Sequence, residues 1–266
     1  IGLYTILDRV LSILGLGNII RYPFWFTSLG GSYSNTLTGQ SIVGDINIWN
    51  YIKETNATYP GAGRFITPFY VINMFIIPAY YLGTLLTMSD KGDRRYMRVV
   101  MIVAIGVSVI CGNPLPSEYM MLFTSPLLLL LYLIIVGVAS GVLVNYEAFL
   151  GFSTTSTNTI TAMPGSFPDF IINLRNASLS SSLMKIMIVG AICFLVFLIV
   201  VIIYYRYLAN DPLNSKKSEK LVEDLIESVG GVDNIIEAGS GLYKLNIHII
   251  NPEKISIEKM KDIGIR

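Results

Sequence analysis

The side chains that could carry chemistry are few in this sequence, and most of them stand among apolar residues. Glu118 follows a Gly-Asn-Pro-Leu-Pro break at residues 112–116 and precedes a long apolar run. An acidic residue in such a place is costly in a membrane and indicates a ligand site. The structural alternative is a carboxylate at the membrane interface, bonded to helix-end amides. Asp8 and Arg9 either lie at an interface or line a cavity, and as sequence neighbours they are not expected to share a helix face.

The sequence does not favour a metal site, a redox pair or a nucleophilic triad. Its two cysteines, Cys111 and Cys193, lie far apart within apolar runs, and its single histidine is His248. We therefore expect buried, inert cysteines, a surface strand position for His248, and neither a metal nor a cofactor. The net charge of +1 and the lack of a basic tract exclude nucleic acid as a natural partner.

The elements that must position these residues belong in a membrane. Of the 266 residues, 53% are apolar and 14% are charged, whereas ordinary soluble domains carry about 25% charged residues. The charge is uneven, because residues 1–208 hold 11 Lys/Arg and 8 Asp/Glu while the much shorter stretch 209–266 holds 8 and 10. The composition therefore predicts a membrane-embedded region followed by a region that faces water.

Three stretches are long and apolar enough to cross a bilayer. They are residues 65–88, 119–145 and 183–208. The basic loop 89–98 and the Tyr-rich end at Arg206 both indicate the cytoplasmic side, so an even number of crossings must separate them. The remaining apolar segment, 99–111, is too short to span and is predicted to be re-entrant, with a break at 112–116.

The other segments are predicted from their polarity and spacing. Residues 1–26 mix charged and apolar side chains and are expected to be amphipathic rather than spanning. Two polar stretches, 27–63 and 145–182, are expected to be long loops without a core. A linker over 209–218 leads to a small α+β domain over 219–266. Its predicted elements are a helix over 219–229, a strand over 242–250 and a second helix over 257–263.

Four motifs follow one another along most of the chain. They are Leu7-Asp-Arg-Val-Leu-Ser-Ile-Leu-Gly-Leu-Gly-Asn-Ile19 with Pro23-Phe-Trp-Phe26, then Gly63-Arg-Phe65, Pro114-Leu-Pro-Ser-Glu-Tyr119 and Gly230-Gly-Val-Asp-Asn-Ile235. In this order they resemble the glucose-type permeases of the bacterial phosphoenolpyruvate-dependent sugar phosphotransferase system. The resemblance implies the C-terminal part of a membrane-embedded IIC transport domain over 1–208, fused to a partial, cytoplasmic IIB-like domain. The fold class expected is mainly α, polytopic in the membrane, with a small α+β appendage.

The resemblance also implies a substrate site and a phosphoryl donor. In such permeases, IIC binds a sugar and presents it inward to a phosphocysteine on IIB. Arg9, Pro116 and Glu118 keep the residue types of the family's site, and Asn18 can still donate to and accept from a sugar hydroxyl. These four residues are the predicted substrate-binding residues.

The sequence departs from the family at other positions. The family's histidine pair falls on Gly17 and Asn18, an acidic position falls on Leu115, and the phosphocysteine position falls on Gly241. Glycine has no side chain to carry a phosphoryl group, so we expect no catalytic residue and no autonomous phosphotransfer.

Three hypotheses about function remain open at this point. The first is sugar transport as the permease component of a phosphotransferase system, with the phosphoryl group supplied by a separate IIB or IIA protein. The second is a membrane sensor or regulator derived from such a permease that does not transport. The third is a truncated or decaying gene product, because the chain looks like a piece of a longer one. The expected partners are a sugar, the lipid bilayer and a second copy joined through a missing N-terminal half. The expected place is the cytoplasmic membrane, multi-pass, with a cytoplasmic C-terminus.

Overall fold

The computed structural model describes most of the chain and divides it into two compact units. The residues described are 1–34, 39, 41–55, 59–88, 91–152, 164–174, 180–208, 215–240, 245–256 and 260. The units are Ile1–Pro212 and Leu213–Arg266, and their boundary falls inside the linker expected at 209–218. That they are a IIC part and a IIB-like part stays a prediction.

The first unit is mainly helical. Its helices are α1 (Gly2–Ile13), α2 (Gly17–Phe26), α3 (Asp45–Thr55), α4 (Thr67–Val71), α5 (Ile77–Thr87), α6 (Lys91–Cys111), α7 (Leu115–Thr124), α8 (Pro126–Asn145), α9 (Phe167–Leu174) and α10 (Ser180–Ile203). Two short antiparallel strands, β1 (Ser32–Ser34) and β2 (Ser41–Val43), precede α3. A π-helical turn, Ile72–Ile76, joins α4 to α5.

Three helical segments among the described residues are long and apolar enough to cross a membrane. They are Thr67–Thr87, Pro126–Asn145 and Ser182–Leu208. The three predicted apolar helices are therefore present, with one change in the second, and that they cross a membrane stays a prediction. The predicted stretch 119–145 is interrupted at Ser125, because Pro126 has no amide hydrogen and begins a new helix at its first position.

The predicted break after residue 111 is present. Helix α6 ends at Cys111, Gly112 has a left-handed φ of +66°, and α7 begins at Leu115. Helix α6 is longer than the apolar segment 99–111, because the basic residues before it continue the same helix. A helix, a break and a short second helix are the geometry that a re-entrant segment needs; its depth in the membrane stays a prediction.

Helix α1 is amphipathic in an inverted sense. Its polar residues are buried and several of its apolar residues are exposed. The buried polar residues are Thr5, Asp8, Arg9 and Ser12, and the exposed apolar ones are Leu3, Leu7 and Val10. In a membrane protein, apolar side chains can face lipid tails while charged ones face the protein interior. The charged pair predicted to lie at an interface or to line a cavity is therefore inside the protein.

Helix α1 lies directly against the spanning helix α8. An added Cβ at Gly2 would stand 2.7 Å from the carbonyl oxygen of Gly137, and one at Gly137 would stand 2.5 Å from Cδ1 of Ile6. A larger side chain at Gly2 would require a shift of the backbone, and one at Gly137 would require the Ile6 side chain to move. The two glycines thus fix the closeness of α1 to α8 and with it the position of the charged residues on α1.

Both polar stretches expected to be loops contain a helix. Residues 27–63 hold β1, β2 and α3, and α3 buries Ile46, Ile48 and Trp49. Residues 145–182 hold α9, which buries Phe170. The prediction of two loops without a core is wrong, because a few apolar residues at helical spacing suffice where a spanning bundle offers a surface to pack on.

The second unit is a small α+β structure. Its elements are α11 (Ser215–Ser228), β3 (Ile235–Ser240) and β4 (Leu245–Ile249). Helix α11 and strand β4 confirm the predicted helix and first strand, and Gly230 and Gly231, both with positive φ, end the helix. Strand β3, which pairs with β4 in antiparallel register, was not predicted.

Two further predictions concern the second unit. His248 is exposed on β4, opposite Glu237, as expected for a surface strand residue. The helix predicted over 257–263 and the position Gly241 lie outside the described residues, except for Met260. Asn234 joins the turn after α11 to the end of β4, because its Nδ2 donates to the carbonyl oxygens of Val229 and Asn251 at 2.7 and 3.0 Å.

Candidate functional site

Four charged side chains from α1, α2 and α7 meet inside the first unit and are called the charged cluster here. They are Asp8, Arg9, Arg21 and Glu118. The side chains of Asp8 and Glu118 are fully buried, that of Arg9 is 1% exposed and that of Arg21 is 23% exposed. Ion pairs out of water hold together only with good geometry and further hydrogen bonds.

A single carboxylate serves both guanidinium groups. Arg9 donates from Nε and Nη2 to Asp8 Oδ2 at 3.0 and 2.6 Å. Arg21 donates from Nε to Asp8 Oδ1 at 2.5 Å and from Nη2 to Oδ2 at 3.2 Å. The expectation that Asp8 and Arg9 would not share a face is thus wrong, because the long Arg9 side chain turns back onto its neighbour.

A serine hydroxyl accepts a hydrogen bond from each of the two arginines. Ser12 Oγ accepts from Arg9 Nη2 at 3.3 Å and from Arg21 Nη2 at 2.7 Å. An added Cβ at Gly17 would lie 2.5 Å from this hydroxyl oxygen. The glycine at the start of α2 therefore leaves the space that lets α2 bring Arg21 to α1.

Glu118 joins the cluster from the first turn of α7. Its Oε1 accepts from Arg9 Nη1 at 3.3 Å and from the Tyr132 hydroxyl at 2.6 Å. Its Oε2 has no hydrogen-bond partner among the described residues. These partners are side chains in the interior, not the helix-end amides of the interfacial alternative.

Arg9 is held in its charged form. Burial by itself lowers the pKa of Arg9, but Glu118 and Asp8 outweigh burial and raise that pKa above its ordinary value. A guanidinium beside two carboxylates in a low-dielectric site stays protonated. Arg9 therefore stays a cation over the physiological pH range.

A cavity of about 630 Å³ opens beside the charged cluster. Its walls combine arginine, amide and aromatic side chains with the break between α6 and α7. The lining residues are Arg9, Asn18, Arg21, Tyr22, Trp25, Phe26, Ile46, Phe69, Cys111, Gly112, Asn113, Pro114, Leu115, Phe152 and Pro164. A cavity of this size with a few placed polar groups is typical of small-molecule sites.

Aromatic rings hold the two guanidinium groups at the cavity wall. Arg9 lies 5.0 Å and Arg21 lies 5.3 Å from the centre of the Phe69 ring, and Arg21 is 5.8 Å from the Trp25 ring. Cation–π contacts at these distances stabilise a desolvated guanidinium. The aromatic walls also offer flat apolar surfaces to the carbon–hydrogen face of a ligand.

The predicted site residues divide between the cavity and its support. Arg9 and Asn18 line the cavity, and the Asn18 side chain is exposed. Pro116 and Glu118 are not among the lining residues: Pro116 is exposed in the first turn of α7, and Glu118 lies against Arg9. Cys111 also lines the cavity and is exposed, so its predicted burial is wrong.

Arg21 is the site residue that sequence reasoning did not select. The signal was present in the Arg-Tyr-Pro-Phe-Trp-Phe run, where a lone cation precedes aromatic residues. Its partner Asp8 lies on a different helix, thirteen positions earlier, and no helical period connects them. Among the described residues, no group of three or more His, Cys, Asp or Glu side chains could hold a metal ion.

Another buried acid, Asp45, fixes the Gly-Arg-Phe motif. Asp45 Oδ1 accepts from the Gly63 amide at 2.8 Å, and Oδ2 accepts from the Phe65 amide at 3.2 Å. Burial raises the pKa of Asp45 to about 7, although the two amides act in the opposite direction. Phe65 in turn contacts the ring of Tyr4 on α1 at 4.9 Å between ring centres. The motif therefore helps to position α1. Among the described residues, no hydrogen bond joins it to the charged cluster.

Comparison with known proteins gives relatives but no match to a protein-family model. The chain is 25% identical over 271 residues to a "PTS system glucose-specific EIICBA component" of Staphylococcus carnosus, covering 98% of this chain and 38% of that relative. It is 24% identical to the glucosamine-specific EIICBA component of Bacillus subtilis, covering 98% and 40%. It is 23% identical to the glucoside-specific EIICBA component of Staphylococcus carnosus, covering 98% and 37%.

These similarities extend over nearly the whole chain, although the chain spans only about two fifths of the length of these relatives. Together with the three apolar helices, they indicate a protein of the cell membrane. The resemblance deduced from the four motifs is confirmed: this chain is related to the glucose-type permease components of the phosphotransferase system.

Proposed function

We propose that this chain transports a sugar across the cytoplasmic membrane as part of a phosphotransferase-system permease. The observation that carries the proposal is the cavity beside the charged cluster, set at the break between α6 and α7. Broken helices beside a buried polar site are how transporters build substrate sites. Residues 1–208 would be the C-terminal part of the IIC domain, multi-pass in the membrane, and residues 219–266 a partial IIB-like domain on the cytoplasmic side.

The four predicted substrate residues have two kinds of role in this proposal. Arg9 and Asn18 meet the sugar directly, because both line the cavity. Glu118 acts from behind, since it holds Arg9 Nη1 and keeps Oε2 unpartnered among the described residues. Pro116 shapes the start of α7, which carries Glu118. Charge-assisted hydrogen bonds to sugar hydroxyls are stronger than neutral ones.

The phosphoryl group would come from another chain. Gly241 stands at the position of the family's phosphocysteine, and a residue without a side chain holds no phosphoryl group. A separate IIB or IIA protein would supply it, and a second copy of the permease would join through an N-terminal half. The relatives' identity as permease components supports transport over the sensor hypothesis.

Transport would require the cavity to open to each side in turn. The charged cluster ties α1, α2 and α7 into one group, while Gly112 at the break has a φ of +66°. A glycine hinge beside a rigid ion-paired group allows α7 and its cargo to move as one body. Alternating access would then carry the site past the rest of the permease.

The test is sugar-dependent thermal stability of the detergent-purified protein over a panel of hexoses, amino sugars and disaccharides. A ligand at about 100 times its dissociation constant should stabilise the protein by about 2.7 kcal/mol. We expect a saturable shift that Glu118→Gln weakens without unfolding the protein, because glutamine can still accept from Arg9 and Tyr132 while losing the charge.

The matched control is Glu54→Gln, an exposed position on α3. It should leave the sugar-dependent shift unchanged. Failure of every sugar to stabilise the protein, with the rest of the permease restored, would contradict the proposed function. An unchanged affinity in Glu118→Gln would remove Glu118 from the site but not the site itself.

A further inference from the structure

We propose that the cavity selects a hexose that carries an anionic group, and that Arg21 recognises this group. The proposal rests on the proposed function, since it names the class of sugar that the same cavity would take. It goes beyond it in assigning a specificity-determining residue that lies outside the four predicted ones. The shared chemistry is a negative charge on a sugar, either a carboxylate or a phosphate.

The cations of the cluster lie at the cavity wall, and its acids lie behind them. Arg9 and Arg21 line the cavity, and no Asp or Glu among the described residues does so. Asp8 and Glu118 are fully buried behind the two guanidinium groups. The cluster has no net formal charge, which lets it exist in the interior, yet a ligand in the cavity meets its cations first. The field there favours a negative group.

Arg21 has N–H donors that form no hydrogen bond among the described residues. A guanidinium carries five N–H donors. Arg21 uses Nε toward Asp8, and Nη2 toward Asp8 and Ser12. None of the hydrogen bonds among the described residues involves Nη1, which has two donors. A partly exposed arginine at a cavity wall with a free end is suited to a carboxylate or phosphate oxygen.

The Arg21 side chain is held in place before a ligand binds. Three hydrogen bonds hold one edge of its guanidinium, and the rings of Trp25 and Phe69 lie 5.8 and 5.3 Å from it. Ligand binding therefore costs little further ordering of the Arg21 side chain, and this favours a high affinity. Arg9 contributes less, because its Nε, Nη1 and Nη2 all have protein partners and its side chain is only 1% exposed.

The rest of the cavity suits a hexose ring. Trp25, Phe69 and Phe152 supply aromatic surface, and Asn18 supplies an exposed amide for a hydroxyl. The volume of about 630 Å³ falls within the range of small-molecule sites. A small inorganic anion would leave these surfaces without contact. The geometry thus favours a sugar with one charged substituent over a simple anion.

The experiment compares three probes that share one ring: glucose, glucuronate and glucose 1-phosphate. Dissociation constants are measured by calorimetry on the detergent-purified protein at fixed ionic strength. We expect at least one anionic probe to bind about ten-fold or more tightly than glucose, and the tighter of the two identifies the carboxylate or the phosphate. The wild-type ratio alone tests the proposal, independently of any variant.

Variants then test the role of Arg21. Arg21→Gln should abolish most of the anionic preference, and Arg21→Lys should keep part of it because the charge remains. Arg95→Gln, at an exposed position of α6, is the matched control and should leave the ratio unchanged. Loss of the preference in Arg95→Gln as well would assign it to general surface charge and overturn the proposal.

The remaining outcomes separate this inference from the proposed function. If glucose binds and both anionic probes bind no better, the anionic substrate is wrong and sugar transport stands. If the preference is present but survives in Arg21→Gln, Arg21 is not the recognising residue. If none of the three probes nor any sugar of the wider panel binds, the proposed function fails and this inference fails with it.

Discussion

Asp8 and Asp45, two of the buried acids of the first unit, are compensated by different kinds of partner. Asp8 is 0% exposed and is paired with two guanidinium groups. Asp45 is 1% exposed and is bonded by the backbone amides of Gly63 and Phe65. A buried carboxylate can be compensated by full charges or by dipoles. The first solution occurs beside the cavity, and the second occurs at a joint between α3 and the chain that enters α4.

The difference in partners decides what each acid can do. Asp8 accepts from both Arg9 and Arg21, so its replacement would leave the buried Arg9 and the partly exposed Arg21 without their shared partner. Among the described residues, Asp45 forms no ion pair with a buried cation. It can therefore take up a proton at moderate cost, and burial raises its pKa to about 7. An ion-paired cluster keeps charged donors ready beside a cavity, whereas an amide-bonded acid holds two segments together.

The largest effect is expected from Asp8→Asn. Asparagine removes the charge that Arg9 and Arg21 share and leaves Glu118 as the remaining counter-ion of the cluster among the described residues. Breaking a buried ion pair by removing one partner costs about 3–5 kcal/mol. We expect a loss of unfolding free energy of that size, measured by thermal and denaturant unfolding in detergent.

The control for Asp8→Asn is Glu54→Gln, which removes an acid from an exposed position. Its effect should be within about 0.5 kcal/mol, as for ordinary surface substitutions. If Asp8→Asn changed the unfolding free energy no more than this control does, the charged cluster would not be a structural unit. The stated difference between Asp8 and Asp45 would then be wrong.

The second effect is a pH dependence that comes from Asp45. Its pKa is raised from 3.8 to about 7 in the folded protein, so the native state holds the proton more tightly than the unfolded state does. The stability contributed by the protonated acid is fully present below pH 4 and is lost as the pH rises through about 7. Each unit of pKa difference corresponds to about 1.4 kcal/mol.

Other acids also titrate, so the measurement is the difference between the wild type and Asp45→Asn at each pH. This difference should change between about pH 4 and pH 7 and be constant above and below. Asparagine removes the titration and keeps one acceptor for the two amides. A difference that does not vary with pH would mean that Asp45 titrates normally and that its amide partners compensate its burial completely.

Much of the first unit could be predicted from local signals in the sequence. The spanning segments appear as apolar runs, and the break after Cys111 appears as a cluster of glycine and prolines. These features act over a few neighbouring residues, so a single sequence contains them. Helix α3 lacked such a signal, because its apolar residues Ile46, Ile48 and Trp49 are interspersed with polar ones and gain their burial from the surrounding bundle.

The candidate site was harder to predict, because its contacts are long-range. Arg9 and Glu118 were recognised through motifs, yet their ion pair joins residues 109 positions apart. Arg21 was missed because its partner lies on another helix. The inverted face of α1 also has no local signal: the same spacing of apolar residues fits a helix that faces water and one that faces lipid, and only the packing on α8 decides which side is inside.

The smallest effect is expected from Gly63→Ala, which tests whether Asp45 acts as a joint. Gly63 has a φ of +86°, and an added Cβ would stand 2.4 Å from the amide nitrogen of Gly151. Left-handed backbone strain costs about 1–3 kcal/mol, and here a steric shift would also move the amide that donates to Asp45. We expect a lower unfolding temperature and a larger pH dependence, since the Asp45 carboxylate would lose a donor that lowers its pKa.

The matched control is Gly141→Ala on α8, where nothing lies within 4 Å of an added Cβ and the backbone is helical. It should leave stability unchanged or slightly raised, because alanine restricts the unfolded chain more than glycine does. If the two acids are independent, Gly63→Ala should leave the affinity ratio of anionic to neutral hexoses as it is in the wild type. A change in that ratio comparable to the effect of Arg21→Gln would show that the joint and the charged cluster are coupled, and the two acids would then have to be treated as parts of one site.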